Sequence, residues 1–286
     1  MNPAAIRVDR LAAAVGAEIS GIDLRERMTA EQLAVIRRIW LENGVVFVRD
    51  QQLTPDQFLA FAQAIGTPVE YPFVHGIAGY PTIIEVKKLE HEKVNFGGVW
   101  HTDTAYLDRP PMATLLLARE VPPQGGDTLF ASQGAAYEAL SDGMKRLLAT
   151  LECVNSSDKA DTSRTREDRI AEGGRTERRS YEAVHPAVRV HPETGQRALY
   201  MNAGHTVRFA GMTEAESAPL LDYLFEHQKK EEFTCRFRWH EGSLALWDNR
   251  CVQHYPVNDY HGHRRVMHRI TLEGDVPKAA SSSAAI

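Results

Sequence analysis

The chain has 286 residues, 43% of them hydrophobic, and a formal net charge of −5 with both signs mixed along its length. That content supports one sizeable core, and the charge pattern holds no basic stripe of the kind that tracks nucleic acid. No run of 18 apolar residues suits a membrane span, no apolar h-region marks a secretory signal, and Cys153, Cys235 and Cys251 stand at no metal-site spacing, as expected of free thiols in a reducing cytoplasm.

In chain order, Thr29-Ala30-Glu31-Gln32 is a capping box that opens an amphipathic helix ending at Gly44. A strand-like run, Val45 to Val48, follows. Thr54-Pro55-Asp56-Gln57 repeats the box with proline at the first helical position, and that helix ends at Gly66. Strands are expected at Thr82–Val86 and Thr114–Leu117, and a helical stretch over Ser132–Glu152 with a break near Ser141-Asp142-Gly143. Residues 156–181, rich in charge, Ser, Thr and Gly, read either as a solvated insertion or as a lid over an active site. His191-Pro192-Glu193 runs into Thr194-Gly195 and reads as a turn. Thr213-Glu214-Ala215-Glu216 opens a further helix to about His227. From Phe233 to Trp239 the alternation is clear, with Phe233, Cys235, Phe237 and Trp239 on one face. Leu244 to Trp247 is another strand, and residues 277–286 read as a disordered tail. Many short strands with a few helices suggest a mainly β barrel or jelly roll with peripheral helices, in a single domain over 1–276. No G-x-G-x-x-G follows a strand, which speaks against a dinucleotide site.

One triplet carries chemistry. In His101-Thr102-Asp103, a strand would point the two outer side chains the same way. With His254 as a third ligand, they form two imidazoles and a carboxylate, the facial triad of non-haem Fe(II) oxygenases. An H-x-D alone is weak in a chain with 12 histidines. Trp100 and Trp247 read as core residues. Asn249 has two readings, a support of the metal ligands or a turn residue. Arg265, Met267 and Arg269 alternate with Val266, His268 and Ile270, so a strand puts both arginines on one face. Each buried guanidinium needs an anion, either a ligand carboxylate or one from the protein.

The context is specific: Gly97-Gly98-Val99-Trp100 ahead of the triplet, Gly125-Gly126-Asp127-Thr128 after it, then Trp247-Asp248-Asn249-Arg250, His254, Arg265 and Arg269. In this order and spacing the chain resembles the taurine dioxygenase / 2,4-dichlorophenoxyacetate dioxygenase family of Fe(II)- and 2-oxoglutarate-dependent oxygenases, from Val15 to about Asp275. The resemblance implies a double-stranded β-helix core, with His101, Asp103 and His254 as iron ligands. It makes Arg265 and Thr128 the partners of the distal 2-oxoglutarate carboxylate and Arg269 the receiver of the substrate's anionic group. It implies O2 as co-reactant, succinate and CO2 as products, a cytoplasmic enzyme, and a homodimer or homotetramer.

The same resemblance locates departures from taurine dioxygenase. Tyr71 replaces a sulfonate-binding histidine, Gly97 an asparagine, His205 an aromatic wall residue, and Thr104 a hydrophobic contact beside the metal aspartate. Tyr71, Thr104 and His205 are therefore expected to line the substrate pocket, Gly97 to enlarge it, and taurine to be a poor substrate. The expected partner is a small anionic organic molecule: an alkylsulfonate, alkyl sulfate or aryloxyalkanoate. Two other classes stay open, a non-oxidative metal-dependent hydrolase or isomerase and a non-catalytic binding protein on the same barrel.

Overall fold

Each threonine box read from the sequence starts a helix in the computed structural model, which describes residues 6–95, 97–160 and 180–280. The helices are α1 (Ala30–Asn43), α2 (Pro55–Ile65), α3 (Gln133–Glu138), α4 (Asp142–Leu148), α5 (Ser157–Ala160) and α6 (Glu214–Gln228). At α1, α2 and α6 the cap Thr side chain accepts from the third backbone N–H, and the Gln or Glu there accepts from the cap N–H. Helix starts leave these donors orphaned, and each such cap contributes about 1 kcal/mol. Gly44 ends α1 at φ 71°, where its N–H still reaches the Trp40 carbonyl. The helical stretch expected to Glu152 stops at Leu148, because Glu152 already opens a strand.

The strands are β1 (Arg7–Arg10), β2 (Ala17–Ser20), β3 (Val45–Val48), β4 (Pro68–Val69), β5 (Ile83–Lys88), β6 (Ala113–Glu120), β7 (Thr128–Ser132), β8 (Glu152–Ser156), β9 (Glu182–Pro186), β10 (Val188–Val190), β11 (Arg197–Leu199), β12 (Thr206–Phe209), β13 (Thr234–Phe237), β14 (Leu244–Asp248), β15 (Val252–Pro256) and β16 (Arg265–Leu272). Strands thus dominate a mixed α/β fold. The large sheet runs β1-β2-β3-β14-β6-β16-β4, with β5 also on β16, and a small sheet runs β13-β7-β15. A third sheet, β12-β8-β9, and the β10-β11 pair lie apart from these.

The large sheet is buried on both faces. One face carries Val46, Leu115, Leu246 and Ile270 against α1 and α2, through Ile36, Trp40, Phe58 and Phe61. The other carries Phe47, Ala245, Trp247 and Met267 against Phe130, Cys235 and Phe237 of the small sheet. Phe47 stacks on Phe237 at 3.9 Å between ring centroids and meets Phe130 edge-on at 5.4 Å. Aromatic pairs of this kind add about 1 kcal/mol each beyond their burial. Met267 lies on the face of β16 that meets the small sheet, so Arg265 and Arg269 do too. The functional side chains come from that inter-sheet space.

The lid reading of 156–181 falls largely on residues 161–179, which lie outside the described residues, as do 281–286 of the expected tail. Within that tail, the Val190 N–H donates to the Lys278 carbonyl, so ordered pairing runs past residue 276. Among the described residues, no helix is long and apolar enough to cross a membrane.

Candidate metal and cosubstrate site

His101 and Asp103 do not share a regular strand, contrary to the expectation from their spacing. His101 forms an isolated antiparallel bridge with His254 of β15: each residue's N–H donates to the other's carbonyl, at 3.1 and 2.9 Å. Asp103 lies in the turn that follows, and Thr104 then takes φ 42°. Their convergence therefore comes from a cross-chain bridge and a turn, and not from strand alternation.

The ligand atoms of His101, Asp103 and His254 all lie within 4.8 Å of one another, and the three residues are buried. Both imidazole Nε2 atoms face Asp103 Oδ1, at 3.7 and 3.9 Å. These separations are too long for hydrogen bonds and suit donors arranged around a common centre. His101 Nδ1 is 2.7 Å from the Val99 carbonyl. A carbonyl only accepts, so Nδ1 carries a proton and Nε2 is the ring nitrogen turned toward Asp103. Burial, then neighbouring His101, holds the His254 imidazole well below its ordinary pKa and hence neutral. Burial pushes the Asp103 carboxyl upward, but Arg269, His254, His101 and the Thr114 hydroxyl together outweigh it and keep it ionised. Two imidazoles and one carboxylate are the donor set of a facial-triad Fe(II) site, so the residues fit that metal.

A cavity of about 40 Å³ lies beside these ligands, lined by Val86, His101, Leu116, Thr128, Trp247, His254, Pro256, Arg265 and Arg269. Five of the residues read from the sequence thus meet there. Arg265 is buried, and its Nε and Nη2 have no hydrogen-bond partner among the described residues. Unpaired buried donors on a guanidinium are costly, and a carboxylate entering the cavity would satisfy them. Thr128 Oγ1 accepts from Trp239 Nε1 at 2.9 Å. Indole only donates, which leaves the threonine proton available to a second acceptor. Trp239, read from the sequence as one of a row of core residues, has this further role, and it also underlies Arg265, whose guanidinium carbon is 5.6 Å from the ring centroid.

Arg269 sits differently. Its Nη2 is 2.9 Å from Asp103 Oδ1, an ion contact without hydrogen-bond alignment, and its Nε has no partner. The reading in which a protein carboxylate partners this arginine therefore holds for one edge of the guanidinium. Tyr71 lies under it at 5.2 Å. His205 meets the His101 ring edge-on at 5.8 Å and Tyr106 at 4.9 Å. Tyr71, Thr104 and His205 thus adjoin the ligands and Arg269 but are not among the residues lining the cavity. Gly97 does not enlarge the space. At φ 74°, a Cβ there would come within 2.9 Å of His101 Cε1, so the glycine admits the imidazole. Trp100 is only half-buried, stacked on Tyr255 at 5.7 Å, whereas Trp247 is core.

Two residues behind Asp103 had weak or ambiguous signals. Thr114 donates to Asp103 Oδ2 at 2.6 Å, and Asn249 Nδ2 donates to Thr114 Oγ1 at 3.0 Å. Thr114's signal was a lone hydroxyl at the head of an apolar strand run. Both readings of Asn249 hold: it lies in the turn after β14, and its side chain supports the residue that holds Asp103.

A second cluster brings together His191, Asp248 and Cys251. Asp248 Oδ1 accepts from Arg250 N and Nε at 3.0 and 2.8 Å, and Oδ2 pairs with Arg250 Nη2 at 2.7 Å and His191 Nε2 at 3.0 Å. His191 Nδ1 accepts from the Glu193 and Thr194 N–H groups, which forces the proton onto Nε2. Burial holds the Cys251 thiol protonated. The His191 and Asp248 donor atoms are thus engaged by protein partners.

Residues 7–271 match the family described as "Taurine catabolism dioxygenase TauD, TfdA family". The chain belongs to that family. Within the TauD, TfdA family, it is similar to an alkylsulfatase of Acinetobacter baylyi, 35% identical over 96% of this chain and 87% of that protein. It is 35% identical to an alpha-ketoglutarate-dependent sulfate ester dioxygenase of Pseudomonas putida, over 96% of this chain and 92% of that one. A solved taurine dioxygenase structure from Burkholderia xenovorans superimposes with a TM-score of 0.81 at 34% identity, covering 96% and 91% of the two chains. The fold and the His-Asp-His centre are thus those of a TauD, TfdA dioxygenase.

Proposed function

We propose that this TauD, TfdA dioxygenase uses Fe(II), O2 and alpha-ketoglutarate (2-oxoglutarate) to hydroxylate a small anionic organic substrate next to a heteroatom. The observation that carries the cosubstrate reading is the pair of unpartnered Arg265 donors in the same cavity as the His-Asp-His centre. In this reading His101, Asp103 and His254 hold the metal. Arg265 grips the distal carboxylate of the cosubstrate, with Thr128 donating its free proton to the same group. When bound, iron with 2-oxoglutarate and O2 supplies the oxidising power for C–H hydroxylation, releasing succinate and CO2. The protein's contribution is orientation and exclusion of water. Val86, Leu116, Trp247 and Pro256 give the cavity dry walls.

The open edge of Arg269, with Tyr71 beneath it, supports an anionic head group on the substrate. Among alkylsulfonates, alkyl sulfates and aryloxyalkanoates, the sulfate esters come first, supported by the two relatives named above. Hydroxylation beside the ester oxygen leaves a hemiacetal-type product that expels sulfate. Tyr71, Thr104 and His205 are read as the neighbours that select the rest of the substrate. The two facing sheets are read as a double-stranded β-helix within one domain, working as a homodimer or homotetramer. Purified protein given Fe(II), ascorbate and 2-oxoglutarate is expected to consume O2 and form succinate, faster with at least one member of a panel of sulfate esters, sulfonates and aryloxy acids. Folded, iron-loaded protein that forms no succinate with any of them would refute the reading.

A further inference from the structure

The carboxylate ligand is held by a hydrogen-bond chain whose direction is set at both ends. Trp247 Nε1 donates to Asn249 Oδ1 at 3.0 Å. The same Oδ1 also accepts from the Asp103 N–H at 3.4 Å, and Nδ2, which can only donate, does so to Thr114 Oγ1 at 3.0 Å. Thr114, thus filled as an acceptor by an obligate donor, has one proton, which goes to Asp103 Oδ2 at 2.6 Å. An indole cannot accept and a carboxylate cannot donate, so the direction is fixed at both ends. Trp247, Thr114, Asn249 and Asp103 are all buried, so no bulk water competes for these groups. The chain is also tied to rigid parts: Thr114, the second residue of β6, stands beside Trp247 of β14, its register partner.

We propose that Trp247, Asn249 and Thr114 are positioning residues that hold Asp103 to a single ligand oxygen. Oδ2 is turned toward β6 and engaged by Thr114, and Oδ1 is the oxygen that faces both imidazole Nε2 atoms, with the Arg269 Nη2 beside it at 2.9 Å. A carboxylate freed from Thr114 can present both oxygens to a metal and occupy a position that a chelating cosubstrate needs. The proposal rests on the metal and cosubstrate reading above and adds to it the cause of the open positions.

The test uses Mn(II) and the non-reacting 2-oxoglutarate analogue N-oxalylglycine, without O2. Mn(II) binding is followed by the loss of the free-ion EPR signal, and N-oxalylglycine binding to the Mn(II)-saturated protein by calorimetry. Thr114→Val keeps the shape and removes the donor, and is expected to weaken N-oxalylglycine binding about tenfold or more, within the range typical of residues that support metal ligands. Thr114→Ser restores the donor and is expected to stay within about threefold of wild type. Asn249→Ala, which leaves Thr114 in place, is expected to lose about three- to tenfold in the same measurement. A merely structural role would lower the thermal midpoint of the metal-free protein without this selective loss or the serine rescue. N-oxalylglycine affinity within about twofold of wild type in both Thr114→Val and Asn249→Ala would overturn the proposal. If Thr114→Val does not fold, the Asn249→Ala result alone decides. Wild-type protein that takes up no Mn(II) would instead overturn the underlying functional reading, and the relay with it.

Discussion

Two buried His–Asp clusters stand in this molecule, built from the same residue types and put to opposite uses. At His191 the ring Nδ1 accepts two backbone N–H groups, so Nε2 carries a proton and binds Asp248 directly. At His101 the ring Nδ1 donates to a carbonyl, and Nε2 stands 3.7 Å from Asp103, beyond hydrogen-bond reach. The carboxylates differ in the same sense: Asp248 has both oxygens hydrogen-bonded by Arg250 and His191, whereas Asp103 has Oδ2 hydrogen-bonded by Thr114 and Oδ1 facing two imidazole Nε2 atoms and the Arg269 guanidinium. What makes a metal centre here is which ring nitrogen the backbone claims, and not the presence of His and Asp.

That contrast can be broken experimentally. The largest effect is expected for His254→Ala or Asp103→Ala, with turnover down by about a thousandfold or more and Mn(II) binding lost, because two ligands do not retain such a metal. His191→Ala should leave Mn(II) affinity within about threefold of wild type, and EPR titration separates the two cases. Next comes Asp248→Asn, which leaves Arg250 buried with one fewer anion and should cost about 3 kcal/mol in urea unfolding. Burial raises the Asp248 carboxyl, but the hydrogen bonds from Arg250 and His191 win and bring its pKa to about 2, below the usual 3.8. A depressed acid stabilises the fold above its unfolded pKa, so this contribution should disappear as pH falls from about 4 toward 2. Wild-type stability should drop more steeply over that window than that of Asp248→Asn. Arg265→Gln follows, with the KM for 2-oxoglutarate raised about thirtyfold and the fold intact, since one charge-assisted contact is lost. The smallest effect is assigned to His205→Ala, a shift of a few-fold in preference among sulfate esters and sulfonates with the 2-oxoglutarate KM unchanged. Equal loss of both would remove His205 from the substrate side.

The sequence made local devices legible. Thr29, Thr54 and Thr213 announce their helices because a capping box is complete within four residues. The shared face of Arg265 and Arg269 follows from strand period alone. What it could not show were pairings between distant residues. The H-x-D spacing predicts the right ligands by the wrong geometry, since His101 is placed by a bridge to His254. The Thr114–Asn249 bond joins positions whose individual signals are a strand threonine and a turn asparagine. Gly97 illustrates the limit of comparing side chains one by one: a missing side chain suggests vacant space, but the backbone brings an imidazole into it. The departures from taurine dioxygenase at Tyr71 and His205 were visible as letters, and only the packing against Arg269, His101 and Tyr106 gives them neighbours.

The reciprocal backbone bridge between His101 and His254 has a consequence for how the protein matures. The two residues come from distant parts of the chain, and closing so large a loop is entropically unfavourable until the intervening sheets have formed. A nascent chain that has emerged only through β14 carries His101 and Asp103 but has neither the bridge nor the third imidazole. The three-ligand centre therefore cannot assemble before β15 has been made and paired with His101.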